Sequence, residues 1–102
     1  MNDFEKYIYC SQILQAEGIR LGIEAHRRNK PICMGTLYWQ LNDCWPGISW
    51  SSRDYFGNWK ALQYSVQDAY SPLFLSIYKT KNSEINIYGV SDLQTEINDR
   101  LE

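Results

Sequence analysis

Between Tyr38 and Trp50 the chain sets three tryptophans, Trp39, Trp45 and Trp50, among Gln40, Asn42 and Asp43. Flat aromatic faces beside planar hydrogen-bonding groups suit a sugar ring. The axial C–H bonds stack on an indole, while amide and carboxylate groups satisfy the hydroxyls that would otherwise be buried without partners. Asn42 and Asp43 have two readings. As a pair they bond sugar hydroxyls, or they bond nearby backbone N–H groups and shape the turn that follows, as Asx residues often do. Trp45 and Trp50 bracket Pro46-Gly47 and also read two ways, as platforms for outer sugar units or as pins holding a long loop in place.

Other groups able to do chemistry are scattered. Asp54, with Tyr55 and Gly57 close behind, reads as part of a turn rather than as an acid. His26, the single histidine, follows Glu24 and precedes Arg27-Arg28 near a helix end, where a solvated or dipole-stabilised ring is the default. Cys10, Cys33 and Cys44 have no metal-ligand spacing, and their odd number leaves at least one thiol free. No metal or cofactor is expected.

Positioning these groups requires regular elements. Residues 3–28 read as one helix. Phe4, Ile8, Ile19 and Ile23 make one stripe and Leu14 and Leu21 a second, with Asn2 or Asp3 as N-cap and Asn29-Lys30-Pro31 as stop. Gly18 and Gly22, four apart in that helix, each cost about 1 kcal/mol against alanine and suggest a close neighbouring backbone. Residues 32–41 are a near-continuous apolar run, the pattern of a strand buried on both faces. A long loop, 42–58, leads into a second helix at about 59–70, with Asn58 as N-cap and Trp59, Leu62, Val66 and Ala69 as its stripe. After Pro72 the period changes to two: residues 73–78 and 84–90 read as strands of a hairpin turning at 79–83. Residues 91–102 are mostly polar and expected to fray.

The 102 residues suffice for one small domain, and 44% hydrophobic with 22% charged residues is the composition of a folded chain. A formal charge of −2 and a pI near 5.3 give no basic footprint for nucleic acid. No apolar run approaches a membrane span, and no signal peptide is visible. The layout nevertheless looks incomplete. One doubly buried strand, two helices and a lone hairpin leave sheet edges unpaired and apolar faces bare.

The segments Met34-Gly35-Thr36-Leu37-Tyr38-Trp39-Gln40-Leu41-Asn42-Asp43, Trp45-Pro46-Gly47-Ile48-Ser49-Trp50-Ser51-Ser52 and Asp54-Tyr55-Phe56-Gly57-Asn58-Trp59-Lys60-Ala61-Leu62-Gln63-Tyr64 resemble β-mannosidases of glycoside hydrolase family 2. The resemblance covers about residues 5–78, and Tyr9 to Glu17 is similar to that family's helix before the last barrel strand. It implies an α/β fragment: the last helix–strand–helix of a (β/α)8 TIM barrel (1–71), followed by the opening hairpin of an immunoglobulin-like sandwich domain (72–102). The incomplete layout would follow from that origin.

The resemblance also implies function. The parent would be a retaining enzyme releasing terminal β-linked mannose through a covalent intermediate without a metal, and Trp39 would stack at the subsite beside the cleaved bond; the other reading is a core tryptophan, less favoured because strand-end positions in this fold usually face the site. Such enzymes need two carboxyl groups about 5–5.5 Å apart. In the family both are glutamates on earlier strands. Here Glu5, Glu17 and Glu24 lie on a predicted helix and Glu84 opens a strand, so no catalytic residue is assigned and the chain alone is expected to be inactive. Substrate-binding candidates are Trp39, Asn42, Asp43, Trp45 and Trp50, with a β-mannoside or oligosaccharide as the parent's ligand. The family's periplasmic, secreted and lysosomal members leave the compartment open. Within the family an exo-glucosaminidase or β-galactosidase-like parent is the rival. Outside it stand a non-catalytic carbohydrate-binding module and an inert fragment that self-associates as a dimer or larger; for the isolated chain the inert reading is favoured.

Overall fold

The computed structural model describes residues 3–98. Helix α1 runs Phe4–Arg28. Asp3 caps it, its carboxylate accepting the Glu5 N–H at 3.1 Å, and Glu5 in the first turn with His26, Arg27 and Arg28 in the last complements the dipole. Asn29 closes the helix as expected; Asn2, the alternative cap, lies outside the described residues.

Helix α2 spans Ala61–Ala69, shorter than the expected 59–70, and its N-cap is Lys60 rather than Asn58. Asn58 is committed elsewhere. Its backbone N–H donates to Asp54 Oδ1 and its side-chain amide to Asp54 Oδ2, both at 2.8 Å, closing the 54–58 turn. Lys60 makes no side-chain cap; instead Gln12 of α1 accepts the Ala61 N–H at 3.3 Å, so one orphan donor of α2 is satisfied from the neighbouring helix.

The two helices pack through Ile23, Leu62, Val66 and Ala69, with Ile19 and Tyr38 closing the cluster. The rest of the expected α1 stripe is uncovered: Phe4 and Ile8 are exposed, as are Leu14 and Leu21 of the second. A Cβ built on Gly18 or Gly22 would meet nothing within 4 Å. The close backbone expected at these glycines is therefore not supplied by the described residues.

Residues 32–41 depart most from expectation. They form no strand, and Leu37 is 98% exposed. A strand apolar on both faces needs a partner on each edge, and among the described residues there is none. The segment is held by side chains instead: Tyr70 Oη donates to Thr36 O at 3.0 Å, His26 Nδ1 meets Thr36 Oγ1 at 2.8 Å, and Tyr38 Oη meets Ser52 Oγ at 2.9 Å. The peptides Lys30–Pro31 and Trp39–Gln40 are cis.

Strands β1 (Leu73–Lys79) and β2 (Ile85–Ser91) pair antiparallel, Leu73 opposite Ser91 and Lys79 opposite Ile85; β1 is one residue longer than the sequence pattern indicates, and β2 is shifted one residue toward the carboxyl end. This two-stranded sheet is the whole sheet among the described residues. Ser76 and Val90 face inward and are buried, while Leu75, Ile77, Ile85 and Ile87 stay exposed.

The basic cluster at the end of α1 clamps the hairpin. Arg27, buried, donates to Ala69 O at 2.5 Å and to Asp92 Oδ2 at 2.9 Å, and its guanidinium lies 5.4 Å from the Phe74 ring centre. Arg28 donates to Ser76 Oγ at 2.5 Å and lies 4.9 Å from the Tyr78 ring centre. Lys30 pairs with Asp92, whose own N–H bonds Pro72 O at 2.8 Å. The expected fraying thus does not begin at residue 91: Asp92 is anchored by two cations that hold its carboxyl below the ordinary carboxylate range, Lys30 contributing most. Residues 99–102 lie outside the described part.

Candidate functional site

The loop from 42 to 58 begins where residues 32–41 end, and a set of buried hydroxyls shapes it. Ser51 and Ser52 are fully buried. Ser52 donates its N–H to Gln40 O at 2.9 Å, and its hydroxyl contacts Leu41 O at 3.0 Å, Gln63 Oε1 at 2.7 Å and Tyr38 Oη at 2.9 Å. The loop is thereby fastened to residues 32–41 and to α2 together. The N–H of Arg53 adds a bond to Leu41 O at 2.9 Å, pairing Arg53 with Asn42 in an isolated parallel bridge.

Asp43 belongs to a second network. Ser51 Oγ donates to Asp43 Oδ2 at 2.7 Å, Ser49 Oγ lies 2.9 Å from Ser51 Oγ, and Lys60 Nζ reaches Ser51 Oγ at 2.9 Å and Asp43 Oδ2 at 3.7 Å. The Ser49 and Ser51 hydroxyls, with the Lys60 ammonium behind them, hold the Asp43 carboxyl below its ordinary range against the opposing effect of burial. Asp43 is thus a fixed anion, with oxygens that accept hydrogen bonds.

These constraints bring three tryptophans to one place. Trp39, Trp45 and Trp50 line an open cleft of about 460 Å³ together with Gln40, Asp43 and Ile48. The indoles are 72%, 73% and 61% exposed, so their faces are open to a ligand rather than buried in a core. The volume lies within the roughly 300–1,000 Å³ range of small-molecule sites. Trp50 is also a pin, as its backbone carbonyl accepts a hydrogen bond from Gln15 Nε2 of α1 at 2.8 Å. The backbone of Trp50 thus holds the loop while its side chain lines the cleft.

Four of the five sequence candidates meet there and one does not. Asn42 is exposed and outside the cleft lining; its amide donates to the neighbouring carbonyl, Asp43 O, at 3.3 Å, a local contact but not the bond to a backbone N–H expected of an Asx turn. Gln40, for which strand alternation suggests a structural role, lines the cleft with its neighbour Trp39, because the segment follows no sheet alternation. Asp54 is a turn residue bound to Asn58, whose side-chain amide does most to hold its carboxyl low. Cys44 is a free, exposed thiol on the cleft wall. Glu24 is buried on α1, facing Arg20, Arg28 and Ser76, and serves the hairpin clamp.

Ser49, Ser51, Ser52, Lys60 and Gln63 are the positioning residues that sequence reasoning missed. Serines between Pro46-Gly47 and Gly57 look like ordinary loop composition, and the one faint signal was their density beside a lone lysine. No group of three or more metal-ligating side chains occurs among the described residues, and none of their helices is long and apolar enough to cross a membrane.

The relatives of this chain are glycosidases. No family model matches it. The backbone superposes on a β-D-mannosidase from Dictyoglomus thermophilum with a TM-score of 0.84 and 40% identity, over 90% of this chain and 11% of that one. The β-mannosidase of Capra hircus is 39% identical over 100 residues, covering 91% of this chain and 11% of its own length. β-Mannosidase B of Emericella nidulans is 36% identical over 115 residues, 98% of this chain and 14% of its length. The chain is of β-mannosidase type and corresponds to one segment of such a polypeptide, spanning between 11% and 14% of the curated relatives it matches.

Proposed function

We propose that this chain forms part of the sugar-binding wall of a retaining β-mannosidase of glycoside hydrolase family 2, an enzyme releasing terminal β-D-mannose. Convergence of Trp39, Trp45, Trp50 and Asp43 on one cleft carries the reading. Helix α1 is then the seventh barrel helix, residues 32–41 the eighth strand and α2 the eighth helix. The β1–β2 hairpin opens an immunoglobulin-like sandwich domain after residue 71. Support comes from the segment 32–41, apolar on both faces and lacking strand partners among the described residues, with its aromatic cleft at the carboxyl end, where barrel enzymes build their sites.

Within that site Trp39 stacks on the sugar beside the cleaved bond, Trp45 and Trp50 face outer units, and Asp43 accepts hydrogen bonds from sugar hydroxyls. Asn42 acts through the turn it shares with Asp43, fixing where the carboxylate stands. Asp43 is the one carboxylate among the cleft-lining residues. Retention requires two, of which one must hold a proton to give to the leaving oxygen, and the serine hydroxyls around Asp43 favour its ionised form. Both catalytic glutamates are therefore assigned to other parts of the parent. A complete carbohydrate-binding module fits less well, since such modules are built as β-sandwiches and the described residues hold one two-stranded sheet.

The test has two arms. With an aryl β-mannoside the pure chain gives no turnover, and titration calorimetry with mannose gives binding in the millimolar range that Trp39→Ala abolishes. Turnover by the chain would overturn the assignment of catalysis elsewhere. Absence of mannose binding would overturn the cleft as a sugar site in this chain and leave the inert, self-associating reading.

A further inference from the structure

A second groove adjoins the tryptophan cleft. About 510 Å³ in volume, it runs between the amino-terminal half of α1 and the loop, walled by Phe4, Tyr7 and Ile8 on one side and by Ile48 and Trp50 on the other. Ile48, Ser49 and Trp50 line both spaces, so the two share a wall. Its polar groups are held in place. Gln15 Nε2 bonds Trp50 O at 2.8 Å, Gln12 Oε1 accepts the Ala61 N–H at 3.3 Å, and Lys60 Nζ bonds Ser51 Oγ at 2.9 Å. Each glutamine thus has one end of its amide fixed by the protein, and the other end, Gln12 Nε2 or Gln15 Oε1, has no partner among the described residues and can bond a ligand hydroxyl.

This mixture distinguishes the groove from the other bare surfaces. The outer face of the hairpin offers Leu75, Ile77, Ile85 and Ile87, and residues 32–37 offer Ile32, Met34 and Leu37, all apolar. The groove instead sets Tyr7, 62% exposed, and Trp50, 61% exposed, around oriented amides, the combination a pyranose ring takes on its two kinds of surface. We propose that the groove is a second carbohydrate subsite, receiving the next sugar unit of a β-linked mannoside whose terminal unit stacks on Trp39 in the first cleft, with Trp50 as the wall between them. The proposal rests on the reading of that cleft as a sugar site, and it assigns to α1 a role in the length of substrate accepted.

Nitrogen-15 labelled chain titrated with methyl β-mannoside and with a β-linked mannobiose, followed through the indole N–H resonances and backbone amides, tests it. The single sugar moves Trp39 and leaves the Tyr7 amide in place. The disaccharide also moves the Tyr7 amide and binds about tenfold more tightly, a gain Tyr7→Ala removes. The Tyr7 ring lies on an exposed helix face, so circular dichroism verifies that the variant folds. A disaccharide that moves Trp39 but leaves the Tyr7 amide in place, or binds Tyr7→Ala as well as the parent sequence, overturns the second subsite and leaves the cleft reading standing. No shift with either sugar overturns both. Shifts at Tyr7 and Trp50 that follow protein concentration rather than sugar mean that another copy of the chain covers the groove, and overturn the proposal.

Discussion

Asp43 shows how one side chain acquires a role from its surroundings. In the sequence it is an Asx residue after a strand-like run; in the fold it accepts a hydrogen bond from Ser51 within a lattice that includes Ser49 and Lys60. Its carboxyl is held below its ordinary value of 3.8, so the ionised form stabilises the folded loop. That contribution is fully present above about pH 3.8 and is lost as the pH falls through the lowered value. Tryptophan emission from the cleft is accordingly expected to change on acidification below that point. In Asp43→Asn the same component is absent, and the difference between the two titrations isolates Asp43 from Asp54 and Asp92, whose carboxyls are also held low. The serines that set this behaviour could not be picked out beforehand. A serine in a loop is exposed by default, and only the return of the loop onto α2 buries Ser51 and Ser52 completely.

Among the elements, α1 was the most legible. An uninterrupted 25-residue run with an Asp cap and a Pro-containing stop leaves few alternatives, and the helix forms where the pattern puts it. Its basic end was legible only in part. Arg27 and Arg28 complement the dipole, as their position suggests, but their reach to Ala69, Ser76 and Asp92 is decided by where the hairpin lands. Arg27→Ala removes a buried donor from Ala69 O and one of two cations from Asp92, and is expected to weaken hairpin docking by about 1–3 kcal/mol. Hydrogen exchange reads this directly: amides of β1 and β2 lose protection in the variant, while those at the α1–α2 contact around Ile23 and Leu62 keep theirs. Helix α2 starts late because Asn58 is bound to Asp54 and Gln12 supplies the missing cap, one contact local and one reaching across 49 positions.

The whole molecule is too open for its size. Its accessible surface is 8393 Å², against about 6000 Å² for a compact monomer of this mass. Its radius of gyration is 16.3 Å, against about 13 Å for a compact domain of this length. The excess, about 2,400 Å², is more than one partner's share of a stable protein–protein interface, about 800 Å², and Ile32, Leu37, Leu14 and the outer face of the hairpin, all apolar, are bare. In isolation the chain is therefore expected to cover these faces with another copy, eluting as a dimer or larger species by size exclusion with light scattering. A monomer with a cooperative melt would show that the core around Ile23, Leu62, Val66 and Ala69 is sufficient by itself.

Local pattern and chemistry determined the helices, the hairpin and the aromatic loop, because capping, 3.6- and 2-residue periods and turn residues act over a few positions and travel with the chain. The likeness to β-mannosidases was equally legible, since the order of the Trp39–Asp43, Trp45–Trp50 and Asp54–Leu62 segments survives without any contact being known. What residues 32–41 would become was beyond local pattern: a strand exists only with partners, and among the described residues the run has none. The tertiary structure alone decided that Asn42 turns away while Gln40 joins Trp39 on the cleft wall, and that buried serines and Lys60 hold Asp43 ionised beside three open indoles. Those outcomes depend on contacts between residues far apart in sequence, and it is the return of the 42–58 loop onto both helices that makes them.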